Sequence, residues 1–267
     1  MFCYMHMEKA GGTTLHTILR NNFPTYVSLA PRSSWGEKYE KYFVPKAAKK
    51  MFGIIAGPAG FGGHYVAPWM DYKKILERDI LYFTFLREPI QRYRSHFEHR
   101  LFIDEIPIPS EEFMSNEHYN NFMTYRIAGE PNLEKAIEIL DRKFAFTGLV
   151  ESFDESLLIL RHLLKKPEMQ LVCKKRNVTP RKEEVKYDWD EDRVKENNAL
   201  DIALYDHAKK TLFNPLIESY PGDLSKDMKI MQGDYEQGKD FPSLKDKILL
   251  SNNRYVQRKL EKWSSRR

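Results

Sequence analysis

Short apolar segments alternate with longer segments of helical periodicity over the first 150 residues of the chain. Short strands separated by amphipathic helices are typical of repeated βα units, whose strands lie parallel in one sheet. The pattern therefore predicts an α/β three-layer sandwich with a central, mostly parallel sheet of about five strands flanked by helices. The predicted strands are residues 2–7, 25–29, 52–57, 80–86 and 144–149, and the predicted helices are 13–22, 72–78, 88–101, 118–128, 131–141, 152–165 and 190–219.

The basic residues concentrate at the C-terminal end. Of 43 Lys and Arg against 38 Asp and Glu, residues 245–267 hold eight basic and two acidic side chains, which leaves residues 1–244 with a net charge of −1. We predict a domain over residues 1–220 and a charged, partly helical extension over residues 221–267. Because the main domain is nearly neutral, nucleic acid is not expected as its partner; the extension is either a solvated helix or a segment that binds a polyanion.

The sequence of 267 residues argues against several classes of protein. Its two cysteines, Cys3 and Cys173, are far apart and fit neither a disulfide framework nor a metal-ligand spacing. The longest apolar runs are of strand length, whereas a membrane span needs about 20 residues. The first residues show no basic segment or cleavage site of a signal peptide. We therefore expect a cytoplasmic protein without a membrane span.

The turn after the first predicted strand reads His6-Met7-Glu8-Lys9-Ala10-Gly11-Gly12-Thr13-Thr14-Leu15. Adjacent glycines let the backbone approach an anion, and the N–H groups that open a helix point at it with the positive end of the helix dipole. Lys9 adds a cation, and the two threonines add hydroxyl donors. The pattern favours a phosphate-binding loop over a glycine turn that only caps a helix. It matches neither G-x-x-x-x-G-K-[ST], in which Lys follows the glycines, nor G-x-G-x-x-G.

A second candidate anion site follows the strand predicted at 80–86. A proline suited to the first turn of a helix comes two residues after Arg87, so Arg87 lies at the carboxyl end of that strand, where open α/β sheets bind ligands. Its guanidinium can donate two charge-assisted hydrogen bonds to one phosphate. Ser95, about two helical turns further on, shares that anion if the strand end bends back over the helix. Arg92 and Arg94 are expected to be solvated charges.

Together the two motifs resemble the donor-binding motifs of sulfotransferases. Residues 9–15 are similar to the 5′-phosphosulfate loop P-K-[TS]-G-G-T-[ST]-L, although Glu8 replaces its proline and Ala10 its Thr or Ser. Residues 86–89 are similar to the 3′-phosphate motif L-R-[DE]-P, which has a serine eight residues after its arginine. Segments 121–126, 148–154 and 177–179 are similar to the carbohydrate branch of this family, which includes heparan-sulfate and uronyl O-sulfotransferases and bacterial relatives, so the resemblance covers roughly residues 2–220.

The resemblance implies a P-loop-like fold and 3′-phosphoadenosine 5′-phosphosulfate (PAPS) as the donor. The sulfuryl group would pass to an acceptor hydroxyl of a carbohydrate or another polyol, with 3′-phosphoadenosine 5′-phosphate (PAP) as the product and no metal required. Lys9 would stabilise the leaving oxygen, while Arg87 and Ser95 would bind the 3′-phosphate. The implied nucleotide-binding residues are Lys9, Ala10, Gly11, Gly12, Thr13, Thr14, Leu15, Arg87 and Ser95.

A hydroxyl acceptor loses its proton during transfer, so a general base is expected. His64 follows the strand predicted at 52–57, on the sheet edge that carries both anion sites, and imidazole titrates near neutral pH. The carbohydrate branch often has Gly-His at a corresponding place, which supports His64 as the catalytic base. Glu8 is the competing base, unless it only pairs with Lys9, and the alternative for His64 is that it orders a glycine-rich loop.

Four further histidines lie near these motifs. We expect packing or solvent contact for His6 and His16, whereas His96 and His99 are on the helix after Arg87 and are weaker candidates for ligand contact. Two other functions stay open: a kinase or other phosphotransferase that uses the same loop with ATP, and a non-catalytic anion-binding protein. No pattern indicates the acceptor's identity or the oligomeric state.

Overall fold

The structure is a computed structural model that describes residues 1–28, 58–106, 108–171 and 187–236. Its sheet has five strands in the order β2-β3-β1-β4-β5, and every neighbouring pair is parallel. The strands are β1 (Phe2–Met5), β2 (Tyr26–Ser28), β3 (Gly60–Gly63), β4 (Leu81–Leu86) and β5 (Phe144–Leu149). Helices flank this sheet, so the predicted α/β three-layer fold is confirmed.

Eleven α-helices are present in the described part of the chain. Before β5 they are α1 (Gly12–Asn22), α2 (Tyr72–Leu76), α3 (Pro89–Phe102), α4 (Ser110–Ser115), α5 (Phe122–Ala128) and α6 (Leu133–Lys143). After β5 they are α7 (Phe153–Leu163), α8 (Glu191–Asn197), α9 (Ala199–His207), α10 (Asn214–Glu218) and α11 (Leu224–Glu236), with a π-helical turn at Ala208–Phe213.

The order of the strands places a crevice at the carboxyl ends of β1 and β4. The chain leaves β1 toward β2 on one side of the sheet and leaves β4 toward β5 on the other. With right-handed crossovers, these connections lie on opposite faces, and the two loops diverge above neighbouring strands. Thr84 Oγ1 donates to the carbonyl of Met5 at 2.9 Å and pins the two strand ends together. Both anion motifs therefore follow strands that end at this crevice.

The strand β3 lies in a glycine-rich segment that is outside all the predicted strands. The strand predicted at 52–57 lies outside the described residues. Glycine is depleted in strands, which is why the sequence pattern did not predict a strand at this position. In β3, however, a Cβ at Gly60 would lie 2.4 Å from the ring of Phe2 in the neighbouring strand, so only glycine fits against this aromatic side chain. His64 consequently comes directly after a strand of the sheet.

Several helices differ from their predicted bounds. The helix predicted at 118–128 begins only at Phe122, because Asn121 has a left-handed φ of 46° that a helix cannot continue through. The helix predicted at 190–219 is divided at Asn198 and again before Pro215, which has no N–H to donate. Helix α4 was not predicted. Ser152 precedes α7, and its side chain makes no capping hydrogen bond there.

Helices α5 and α9 cap each other across 80 residues of sequence. The Asp201 carboxylate accepts from the N–H groups of Met123 and Thr124 at 2.9 and 2.8 Å, and the Asn121 side chain accepts from the N–H of Leu200 at 2.9 Å. Asp201 is fully buried, so these bonds replace its lost hydration. The exchange fixes where α5 begins.

The described part of the predicted extension includes α11, which packs on α7. Met231 is buried in the main core, and Tyr220 donates to Asp227 at 2.7 Å. The domain boundary at residue 220 stays a prediction, as does the cytoplasmic location, and residues 237–267 lie outside the described part. Within the described ranges, no helix is long and apolar enough to cross a bilayer.

Candidate active site

The loop between β1 and α1 has a conformation that opens the N-terminus of α1. Lys9 and Gly11 have left-handed φ angles of 66° and 73°, which cost a non-glycine residue such as Lys9 free energy. No described side chain caps α1, and its first turn has no acidic residue. The first N–H groups of α1 therefore present the positive end of the helix dipole at the crevice, as an anion site requires.

The second glycine of the loop is required by His6. A Cβ at Gly12 would lie 1.7 Å from Nε2 of His6, far inside the contact distance of two atoms. The His6 ring thus packs directly against the first turn of α1. Gly12 serves this close approach, while Gly11 provides the left-handed turn before it.

The remaining loop residues have different roles in the structure. The N–H of Ala10 donates to the carbonyl of Met7 at 3.3 Å, within the loop itself. Leu15 is buried in the core, and its N–H donates to Gly11 at 3.2 Å. Thr13 is exposed and Thr14 is half-buried in the first turn of α1. Ala10 and Leu15 therefore shape the loop, and a contact from either to a nucleotide stays a prediction.

Arg87 joins the two motifs. Its Nη1 donates to the main-chain carbonyl of Lys9 at 3.3 Å, so the residue after β4 reaches the loop after β1. Its Nε is buried, yet no described residue accepts a hydrogen bond from it. Glu88 turns the other way and accepts from two N–H groups that open α3. One guanidinium donor is therefore buried at the crevice without a partner among the described residues.

Lys9 is a half-buried cation that forms no ion pair within the described ranges. Burial, together with the positive charge of Arg87, lowers the pKa of Lys9 to about 8. The positive charges of Lys9 and Arg87 repel each other at the crevice. A bound anion would relieve this repulsion and supply the counter-charge that Lys9 does not find among the described residues.

Helix α3 packs its basic side chains differently from our expectation. Arg92 is fully buried, donates to the carbonyl of Tyr119 at 3.2 Å and lies 4.7 Å from the ring centroid of Phe122, so it is no solvated charge. Arg94 is half-buried and pairs with Glu191 at 2.5 Å. The expectation of a solvated charge was wrong for Arg92, because the segment around α5 covers that part of α3, whereas Arg94 forms its ion pair at the surface.

Ser95 and two histidines lie on this covered helix. Ser95 is 9% exposed, and no hydrogen bond joins its hydroxyl to another described residue, including Arg87. His96 is buried, and burial with Arg92 and Lys9 holds its pKa well below the usual value. Burial and Lys9 also lower the pKa of His99. The positive charge of Lys9 therefore acts on both histidines of α3.

His64 is anchored by a buried carboxylate. Its Nδ1 lies 2.9 Å from Oε1 of Glu8, and Oε2 of Glu8 lies 3.2 Å from Nε of Arg126. Arg126 also donates from Nη2 to the main-chain carbonyl of His64 at 2.6 Å. Three elements therefore meet at His64: the end of β3, the loop after β1 and helix α5.

Glu8 is ionised in this arrangement. Burial alone would raise its pKa, but the Arg126 charge and the His64 contact outweigh burial and lower the pKa of Glu8 to about 2. An ionised carboxylate only accepts hydrogen bonds, so the ring proton of neutral His64 is on Nδ1, and proton transfer by His64 uses Nε2. Glu8 is therefore occupied as the acceptor for His64 and Arg126 rather than paired with Lys9.

His6 and His16 form a buried chain beside His64. The rings of His6 and His64 stack with centroids 3.9 Å apart, His6 Nδ1 lies 3.2 Å from His16 Nε2, and His16 Nδ1 lies 2.9 Å from the hydroxyl of Tyr26. Burial holds the pKa of both His6 and His16 well below the usual value. The prediction of packing for these two histidines is confirmed, but they pack against the site itself.

Sequence reasoning missed the roles of Arg126 and Tyr26. Arg126 is 118 residues from Glu8 along the chain, and its only signal was its place in a segment similar to the carbohydrate branch. Tyr26 was part of an ordinary apolar strand pattern. Among the described residues, no group of three or more His, Cys, Asp or Glu side chains is arranged to hold a metal ion.

Comparison with known proteins finds neither a protein-family model nor a curated protein that matches the chain.

The packing of His6 on Gly12 predicts a coupled pair of substitutions. Gly12→Ala should lower the free energy of unfolding by about 1–3 kcal/mol, because the added Cβ displaces a packed ring. In a His6→Ala background the same substitution should cost much less. Urea unfolding of the four chains measures the coupling.

The control is Gly233→Ala in α11, where a Cβ would meet nothing within 4 Å. It should stabilise the protein by about 0.5–1 kcal/mol, because alanine favours the helix. Additive effects of the His6 and Gly12 substitutions would contradict the packing described here.

Proposed function

We propose that this protein is a sulfotransferase that moves the sulfuryl group of PAPS to an acceptor hydroxyl, most simply that of a carbohydrate or other polyol. The observation that carries the proposal is the hydrogen bond from Arg87 to the Lys9 carbonyl, because it brings the two motifs that resemble donor-binding motifs to one crevice. His64 is connected to the same loop through Glu8, the residue before Lys9.

The charges at the crevice support a donor with two separate anionic groups. Lys9 and the open N-terminus of α1 suit the 5′-phosphosulfate, since backbone N–H groups and a cation converge there. Arg87 has a buried, unpartnered Nε, and Ser95 has a hydroxyl without a partner among the described residues; both suit the 3′-phosphate. ATP has no phosphate at that position, so these two residues separate the proposed donor from the kinase alternative.

In the proposed transfer, the acceptor oxygen attacks sulfur in line with the bond to the bridging oxygen. A new S–O bond forms to the acceptor, the bond from sulfur to the bridging oxygen breaks, and PAP leaves with the electron pair. The Lys9 ammonium stabilises the charge that develops on the leaving oxygen. The acceptor proton passes to Nε2 of His64, and Glu8 stabilises the resulting imidazolium through Nδ1.

The burial and contacts of the two candidate bases favour His64 over Glu8. Glu8 is 1% exposed, accepts from both His64 and Arg126 and has a pKa of about 2, so it is a poor proton acceptor near neutral pH. His64 has about a fifth of its side chain exposed and is the member of the pair that solvent reaches. We therefore assign His64 as the base and Glu8 as the residue that orients it.

The role of Arg87 predicts a selective loss of donor affinity. Arg87→Ala should weaken PAP binding about 10- to 100-fold, the worth of one or two charge-assisted hydrogen bonds. Binding of adenosine 5′-phosphate, which lacks the 3′-phosphate, should change little. Calorimetric titration of wild type and variant with both nucleotides measures the difference.

The matched control is Arg142→Ala, since Arg142 is 80% exposed on α6 and pairs only at the surface. It should leave both affinities unchanged. Equal losses for both nucleotides in Arg87→Ala would refute the 3′-phosphate role. Tight binding of ATP by the wild type, with no preference for PAP, would favour the phosphotransferase instead.

The role of His64 predicts a loss confined to turnover. His64→Ala should lower the rate of transfer from sulfate-labelled PAPS to an accepted polysaccharide about 10²- to 10⁴-fold, because the general base is lost. PAP affinity should be retained. The matched control is His207→Ala, which removes another histidine paired with a carboxylate, Asp141, at 2.8 Å between α9 and α6. A wild-type rate in His64→Ala would assign the base elsewhere.

A further inference from the structure

Arg126 is a buried cation whose planar edge bridges two parts of the site. It is 1% exposed, and its Nε and Nη2 lie on one edge of the guanidinium. Nε donates to the Glu8 carboxylate at 3.2 Å, and Nη2 donates to the main-chain carbonyl of His64 at 2.6 Å. The same edge therefore contacts the partner of His64 and the backbone of His64.

The position of this edge is set by the caps of α5. Arg126 lies in the last turn of α5, a helix of seven residues whose start is fixed by Asp201 and Asn121. With its start fixed, a short helix has no freedom to slide along its axis. Arg126 is thus held by α9 on one side while it holds Glu8 and His64 on the other.

We propose that Arg126 is a positioning residue for the base: its contacts with Glu8 and with the His64 carbonyl keep Nε2 of His64 unprotonated and turned toward the acceptor. The proposal rests on the proposed function only in naming His64 as the base. The effect on the proton itself concerns the Glu8–His64 pair and exists whether or not the protein transfers sulfate.

The physical reason is the charge balance of a buried pair. With Arg126 present, Glu8 is an anion compensated by the guanidinium, and His64 needs no second proton. Without that cation, a buried carboxylate beside an imidazole takes up a proton more readily. The extra proton either makes His64 an imidazolium or sits on Glu8, which then donates to Nδ1 and leaves the ring proton on Nε2. In both cases Nε2 carries a proton and cannot accept one.

The histidines and tyrosines around this pair do not replace the charge of Arg126, because burial lowers the pKa of these histidines and raises that of these tyrosines and so favours their neutral forms. Lys9 is adjacent in the chain, but among the described residues Glu8 pairs with Arg126 and His64 rather than with Lys9. The other groups whose ionisation is coupled to Glu8, His64 or Arg126 are His6 after β1, His16 in α1, His118 before α5, Tyr4 in β1 and Tyr72 in α2.

Arg126→Gln tests the proposal by nitrogen NMR of histidine-labelled protein at about pH 8, above the ordinary titration range of imidazole. In the wild type, Nε2 of His64 should give the signal of an unprotonated nitrogen. In Arg126→Gln it should give that of a protonated nitrogen. This readout needs no acceptor and no transfer, so it is independent of the proposed activity.

Kinetics supply the second readout. In Arg126→Gln, turnover should fall at least about 100-fold and the acidic limb of its pH profile should move up by about two units, while PAP affinity stays within about threefold of wild type. A role confined to stability would not move the pH profile. If no acceptor supports transfer in the wild type, the proposed function fails and the NMR result still decides the role of Arg126.

Arg126→Lys separates charge from geometry and covers the case in which Arg126→Gln does not fold. The ammonium keeps the positive charge but cannot present two donors along one edge. Nε2 should therefore stay unprotonated and the pH profile should keep its position, while turnover falls about tenfold.

The matched control for lost stability is Leu160→Ala, which removes a fully buried side chain of α7 and costs about 2–5 kcal/mol. It should leave the His64 signal and the pH profile unchanged. An unprotonated Nε2 and wild-type turnover in Arg126→Gln would overturn the proposal. So would a protonated Nε2 in Arg126→Lys, because the charge alone should protect it.

Discussion

Glu8 is a carboxylate with 1% exposure, and a charge so far removed from water is stable only among partners of opposite sign and hydrogen-bond donors. Its two oxygens divide between His64 and Arg126, which come from the end of β3 and from α5. Satisfying this one carboxylate therefore fixes the loop after β1 against two other elements. The remaining parts of the site, including the open N-terminus of α1, depend on that placement.

The sheet explains why the charges of opposite sign stay apart. Because β1 is central and its loop diverges from the loop after β4, the crevice receives Lys9 and Arg87 on the side of β4. The compensated pair of Glu8 and His64 lies on the side of β3. The carboxyl end of β1 therefore carries a cationic region that suits an anion on one side. On the other side it carries His64, which is paired with the Glu8 carboxylate. Such a division suits a transfer in which one group stabilises negative charge while another accepts a proton.

The sequence sufficed for the fold class, for most strands and for the position of the anion motifs, because these depend on local periodicity and on residues adjacent in the chain. It failed at β3, where glycines are required by the Phe2 ring of the next strand, a contact that no local pattern contains. It failed again for Arg92, whose burial depends on segments that fold over α3. The ion pair between Glu8 and Arg126 spans 118 residues and depends on caps supplied by α9. The sequence therefore did not predict that these two residues contact each other.

The central claim is that one crevice, built from Lys9, the start of α1 and Arg87, holds a 3′-phosphorylated nucleotide. A crystal structure of the protein with PAP bound tests it most directly. The account predicts the 5′-phosphate against Lys9 and the first N–H groups of α1, with the 3′-phosphate accepting a hydrogen bond from Nε of Arg87, the donor that lacks a partner within the described part of the chain. PAP bound elsewhere, or bound with its 3′-phosphate in solvent away from Arg87, would contradict it.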